Sequence, residues 1–250
     1  FKFPDYNLVL SSVIIDVDQD GYNDIVLGVD RTNDKNLDNC ECVGVVLFGN
    51  EYNDFTQRIE FLPEGPYKSN NTPTQIIAHK VDQDGLEDLI IMNTNNGSYE
   101  DYYDGHSLQI LVNDNGKFVD KTSQFVDTSK SDQWEKHPTH GRTGGYMIMQ
   151  DLDNDWDLDI WVDGTAYSPY YVWQDNMFVM ADILNNKIPY LEGCSQVPND
   201  EGTVTTQCGT ATYGIIPIDI DSDGNLDWLV TNQVGTDTET GIVLSQLMAD

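Results

Sequence analysis

A nine-residue acidic frame occurs four times in this chain: DVDQDGYND at 16–24, KVDQDGLED at 80–88, DLDNDWDLD at 151–159 and DIDSDGNLD at 219–227. The shared pattern D-x-D-x-D-G-x-x-D places carboxylate oxygens at positions one, three, five and nine. A tight turn at position six can swing the position-seven carbonyl inward. So dense a set of oxygens on one short loop suits a hard cation. The plain alternative is a solvated Asp-Gly turn with no ion, since Asp and Gly favour turns in any case. That alternative leaves the repulsion among the carboxylates uncompensated in every copy.

Calcium takes six to eight oxygen ligands at roughly 2.3–2.6 Å in a forgiving geometry, whereas magnesium demands a strict octahedron, so the loops favour calcium. An EF-hand begins the same way but needs Glu at position twelve, on a helix. Here position twelve is Leu27, Ile91, Val162 and Val230, which excludes a helix-loop-helix site. Short apolar runs flank each loop, such as Val13-Ile14-Ile15 before the first and Ile25-Val26-Leu27 after it. They are too short for helices and read as strands, so each loop is the tip of a β-hairpin. Apolar residues on consecutive positions imply strands covered on both faces.

The copies begin at residues 16, 80, 151 and 219, a period of about 70 residues that suits one four-stranded propeller blade with generous loops. The first repeat supplies candidate strands at 9–16, 24–29, 43–48 and 55–61, and the second at 74–80, 88–93, 107–112 and 117–121. The third supplies 146–150, 159–163, 170–174 and 177–181, and the fourth only 213–219, 227–231 and 241–247. The expected fold is therefore an all-β β-propeller of about four four-stranded antiparallel blades, in one domain over 1–250, with repeats near 5–61, 72–121, 144–183 and 210–250. Residues 1–4 resemble the fourth-strand segments around Lys117-Phe118 and Met177-Phe178. They either complete the last blade and close a four-bladed ring, or the chain is a slice of a longer propeller.

The loops, their spacing and their strand pairs resemble the FG-GAP or VCBS repeats of integrin alpha-subunit β-propellers and of many secreted microbial proteins, over nearly the whole chain. The resemblance implies one blade per repeat and one structural calcium per loop, three to four ions in all. The first site would use Asp16, Asp18, Asp20 and Asp24 with the Tyr22 carbonyl, and the fourth Asp219, Asp221, Asp223 and Asp227 with the Asn225 carbonyl. The third would use Asp151, Asp153, Asp155 and Asp159 with the Asp157 carbonyl. It carries Trp156 where the turn usually has Gly, and a bulky residue at positive φ is strained, so a different turn is expected there. The second would use Asp82, Asp84 and Asp88 with the Leu86 carbonyl, but Lys80 replaces the first carboxylate. The lysine either pairs with those three acids in place of a metal or swings outward and leaves a weaker site.

With 43 acidic against 12 basic residues the net charge is −31, which disfavours nucleic acid and anionic membranes as partners. No run approaches the ~20 apolar residues of a membrane span, and no secretory h-region is present, so any signal peptide is removed or lies upstream. Millimolar calcium outside cells fills sites that the cytosol leaves empty, so an extracellular or cell-surface setting is expected. Four cysteines allow three pairings. The favoured one joins Cys194 to Cys208 across a polar insertion, while Cys40 and Cys42 stand too close in sequence to bridge in an extended strand. Sequons lie at Asn70-Asn71-Thr72 and Asn96-Gly97-Ser98.

Catalytic chemistry finds no support. His137 and His140 form the one local cluster capable of acid-base work, but the intervening Pro138 breaks a helical face and no third ligand stands at a recognisable spacing. Neither a G-x-S-x-G elbow nor a phosphate loop is present. Aromatic residues crowd 99–103 and 167–173, where they either bind a partner or pack as strand residues. The expected function is a calcium-binding, non-enzymatic adhesion, recognition or assembly module that meets a protein or carbohydrate through its loop face. The alternatives are a propeller domain of a secreted polysaccharide-processing enzyme and a structural subunit of a cell-surface filament that assembles with its own copies.

Overall fold

The computed structural model describes residues 9–30, 42–68, 71–95, 106–127, 143–151, 155–164, 170–181, 194–198, 204–208, 211–220, 222, 227–234 and 237–243. The chain is all-β and divides into two compact units, Phe1–Gly141 and Arg142–Asp250.

The first unit holds two antiparallel four-stranded sheets, each a simple meander. In the first sheet β1 (Val9–Ile15), β2 (Asp24–Val29), β3 (Gly44–Phe48) and β4 (Arg58–Phe61) lie in sequence order. The second repeats that order with β5 (Asn71–His79), β6 (Asp88–Asn95), β7 (His106–Asn113) and β8 (Phe118–Asp120), followed by a single helical turn, α1 (Thr122–Phe125). The consecutive apolar runs of β2 and β3 are covered on both faces. Val26 and Val46 pack with Ile76, Leu89, Ile91 and Leu111 of the second sheet, while Leu27, Val45 and Leu47 form a separate cluster on the opposite face. The strand β1 departs from that expectation, since Ile14 is 64% exposed and Leu10 is exposed as well.

Away from the acidic loops a buried chain of amides links the two sheets. The Asn71 side chain donates to Asn93, Asn93 donates to Gln109, and Gln109 donates to the Glu64 carbonyl at 2.9 Å and to Asp120 at 2.8 Å. Burying such groups is tolerable only because each amide N–H finds an acceptor. Gly65 lies against this chain.

In the second unit β9 (Thr143–Gln150), β10 (Asp159–Gly164), β11 (Tyr170–Gln174) and β12 (Met177–Ala181) form another four-stranded meander. A two-stranded hairpin follows, β13 (Cys194–Pro198) with β14 (Val204–Cys208), within what sequence reading left as an insertion. The last sheet has three strands among the described residues, β15 (Ala211–Ile218), β16 (Asp227–Val234) and β17 (Asp237–Val243).

A second structural repeat accompanies the sequence repeat. In the strand before the first, second and fourth loops one residue is extruded from the ladder: Leu10 between Val9 and Ser11, Thr74 between Pro73 and Gln75, and Tyr213 between Thr212 and Gly214. Each bulge stands at the same distance ahead of its loop and sharpens the local twist of its sheet.

Substituting Gly65→Ala would place a Cβ 2.5 Å from the Asn71 Cγ and 2.7 Å from the Val43 Cγ1. Urea unfolding is expected to show a loss of about 1–3 kcal/mol, and an unchanged midpoint would show that the amide chain can yield without cost.

Candidate metal centre

The first loop is fully described and shows how the frame folds. As the chain leaves β1, Asp16 turns both carboxylate oxygens back on the loop and accepts the Asp20 N–H at 3.1 Å and the Gly21 N–H at 3.0 Å. Asp20 accepts the Tyr22 N–H at 2.9 Å. Two residues take left-handed backbone, Gln19 at φ +59° and Gly21 at φ +91°. Gly is the usual choice for such a turn, but the Gln at position four gave no sequence signal.

Position nine does more than sequence reading assigned to it. Asp24 is fully buried at the start of β2, and its two oxygens accept the Val17 N–H and the Gly49 N–H, both at 2.8 Å. One carboxylate therefore fastens the loop to β2 and to the end of β3. The second loop repeats the device. Asp88 is fully buried and accepts from Val81 at 2.8 Å, Asp82 at 3.3 Å and Asn113, at the end of β7, at 2.9 Å. In the third, buried Asp159 accepts the Trp173 N–H of β11 at 2.9 Å. A carboxylate offers about four lone-pair sites, so these bonds leave room for a cation on the same group.

One oxygen from each of Asp16, Asp18 and Asp24 lies within 4.8 Å of the others. Oxygens sharing an ion at calcium distances stand at most about 5 Å apart, so the set fits one. Asp18 adds a buried Oδ1 without a hydrogen-bond partner. Its Oδ2 is held at 2.5 Å by Arg58, which also pairs with Glu60 at 2.7 Å and stacks over the Phe48 ring at 3.5 Å. Asp20 stands outside that group of three.

The second loop lacks an acceptor at position one. Lys80 does not pair with Asp82, Asp84 or Asp88; it is half exposed and faces Glu87 at 3.9 Å. Of the two expected arrangements the outward one is found. Asp82 and Asp84 still cap the Asp84 and Leu86 N–H groups.

The third loop corrects an expectation. Trp156 adopts φ +78°, the conformation that Gly21 and Gly85 adopt in their loops, instead of a different turn. The same bonds recur, from Asp155 N to Asp151 at 3.1 Å, from Trp156 N to Asp151 at 3.0 Å and from Asp157 N to Asp155 at 3.1 Å. Backbone hydrogen bonding to Asp151 and Asp155 thus outweighs a strain of about 1–3 kcal/mol. Asp153 lies outside the described residues, as do Asp221, Asp223 and Asn225 of the fourth loop. There Asp219 is exposed, Ser222 at position four is left-handed at φ +63°, and Asp227 opens β16 opposite Ile218.

The first loop is also seated against the second sheet. The Asn113 amide donates to the Val17 carbonyl at 2.8 Å, and its oxygen accepts the Gly116 N–H at 2.8 Å. His137, His140 and residues 99–103 lie outside the described residues. Tyr171 is buried, and Trp173 meets Phe178 edge-on at 4.6 Å, so both serve strand packing. Cys194 and Cys208 stand directly opposite in the β13–β14 register, and Cys42 is disulfide-bonded to a cysteine whose side chain is not among the described residues.

No family model matches the chain, and no curated protein matches it. Among solved structures, a lectin of Agrocybe aegerita, titled as recognising non-reducing terminal N-acetylglucosamine, aligns at 12% identity with a TM-score of 0.37, over 90% of this chain and 63% of the lectin.

Burial is the main cause raising the Asp24 carboxyl above its ordinary value; the Gly49 and Val17 N–H groups pull it back, and negative Asp18 and Asp20 push it up. Asp88 is raised by burial too, against the N–H groups of Asn113, Val81 and Asp82. A carboxyl raised on folding takes its proton at higher pH in the folded chain than in the unfolded one, so the fold gains stability as pH falls toward the raised values and loses it as pH rises. In chelator the melting temperature is expected to climb between neutral pH and about pH 5. A chelated sample that instead melts earlier on acidification would remove burial as the dominant influence.

Proposed function

We propose that this chain is a calcium-stabilised β-propeller module of the FG-GAP or VCBS kind, working outside the cell as a non-enzymatic recognition, adhesion or assembly unit. The observation that carries this reading is the convergence of Asp16, Asp18 and Asp24 oxygens within 4.8 Å on a loop whose hydrogen bonding recurs in the third repeat. The blade reading draws support from the repeated meanders, the shared bulge position and the face-to-face packing of the first two sheets.

Asp16, Asp18, Asp20 and Asp24 with the Tyr22 carbonyl would hold the first ion, and Asp151, Asp153, Asp155 and Asp159 with the Asp157 carbonyl the third. Asp219, Asp221, Asp223, Asp227 and the Asn225 carbonyl would hold the fourth, and Asp82, Asp84, Asp88 and the Leu86 carbonyl a weaker second. A bound ion supplies the positive charge that lets these carboxylates share one turn. The chain itself supplies rigidity, because the position-nine carboxylate is already anchored by backbone N–H groups. Binding to the folded chain alone then adds to its stability.

At calcium about a hundredfold above its dissociation constant the gain is roughly 2.7 kcal/mol per site, so replacing chelator with millimolar calcium should raise the melting temperature by about 5–10 °C for each site filled. Equal melting in calcium and in exhaustive chelator would end the calcium reading. Lys80→Asp should restore the missing acceptor and tighten the weaker second site, adding one calcium per chain in native mass spectrometry at a calcium level that leaves the wild-type second loop empty, and an unchanged count at that level would show that position one does not limit this loop.

A further inference from the structure

Position two of the first loop is gripped from both sides. Val17 is the single residue between Asp16 and Asp18, so its two peptide groups set how those carboxylates stand to one another. Its N–H is held by Asp24 at 2.8 Å, and its carbonyl accepts the Asn113 amide N–H, also at 2.8 Å. The first of these bonds stays within the loop. The second comes from the end of β7 in the other sheet, 96 residues along the chain.

Asn113 is 1% exposed and is itself fixed. Its backbone N–H is bonded to Asp88 at 2.9 Å, and its side-chain oxygen accepts the Gly116 N–H at 2.8 Å. An unbroken series of hydrogen bonds therefore runs from Asp88 of the second loop through Asn113 and Val17 to Asp24 of the first. The turn after Asn113 also backs onto the first loop, since a Cβ added at Gly116 would stand 3.0 Å from the Asp18 Cβ. Asp18 keeps its Oδ1 buried and without a hydrogen-bond partner.

The fold does not demand this amide. Gly49 and Trp173 hold the corresponding place in the first and third sheets, where each gives its backbone N–H to the position-nine carboxylate of its own repeat, as Asn113 does to Asp88. Neither carries an amide side chain, so the reach into another sheet's loop is an addition made at Asn113.

We propose that Asn113 is a positioning residue for the ion of the first loop, which makes that site the joint product of two sheets. It holds Val17, and with it Asp16 and Asp18, in place before the ion arrives, which lowers the ordering cost of binding. By linkage, the bound ion strengthens the seating of the second sheet on the loop. This role rests on the calcium reading above and adds to it a particular residue and a coupling between repeats.

The test follows amide hydrogen exchange by mass spectrometry while the full chain is titrated from chelator into millimolar calcium, so that each loop is read by its own peptide. In the wild type, residues 16–24 and the turn at 113–116 are expected to gain protection with one shared midpoint. Asn113→Ala should move the midpoint of 16–24 to about two- to tenfold higher calcium and leave that of 151–159 unchanged. Gln109→Ala removes a cross-sheet amide bond away from the acidic loops; it should lower the melting temperature and leave the 16–24 midpoint where it was. Equal midpoints in wild type and Asn113→Ala, or an equal shift in Gln109→Ala, would overturn the proposal. If a variant does not fold, the wild-type titration decides alone: a turn that ignores calcium while 16–24 responds overturns this proposal and spares the calcium reading. No response at any loop would overturn both.

Discussion

The first two hairpins each hang on a buried carboxylate, Asp24 or Asp88, whose oxygens face backbone N–H groups from two directions. Asp24 joins the loop after β1 to the end of β3, Asp88 does the same between β5 and β7, and Asp159 reaches β11. Removing a charged group from water is costly, and only the N–H donors on each oxygen make these burials tolerable. The outer carboxylates of each loop can vary, as Lys80 shows. The inner one sets the position of three strands at once.

The acidic frame carried much of the architecture into view before any coordinates. The strand on either side of each loop, the up-and-down order within the repeats and the exclusion of flanking helices all follow from where apolar runs meet the carboxylates. Strand ends were less legible: β5 begins at Asn71, earlier than the apolar pattern suggested, because the bulge at Thr74 breaks the ladder without breaking the strand. The hairpin β13–β14 lies in a polar stretch whose composition gave no strand signal.

The partners of the candidate centre were the hidden part. Arg58 reaches Asp18 across 40 residues, and Asn113 reaches Val17 across 96, separations that no local pattern encodes. Gln19, Gln83 and Ser222 all take left-handed backbone without the Gly or Asn that would advertise it, and around Gln19 and Gln83 neighbouring carboxylates hold the loop by hydrogen bonds. Trp156 was misjudged for the same reason. Intrinsic preference pointed to another turn, and the bonds to Asp151 overrode it.

The Asn113 amide has a temporal implication. It closes on Val17 from the far end of the second sheet, so the first hairpin, although made early, lacks its final anchor until the segment that ends β7 has emerged. During synthesis the leading sheet therefore waits, incompletely locked, for its successor. Newly made chain is secured from behind, one repeat late.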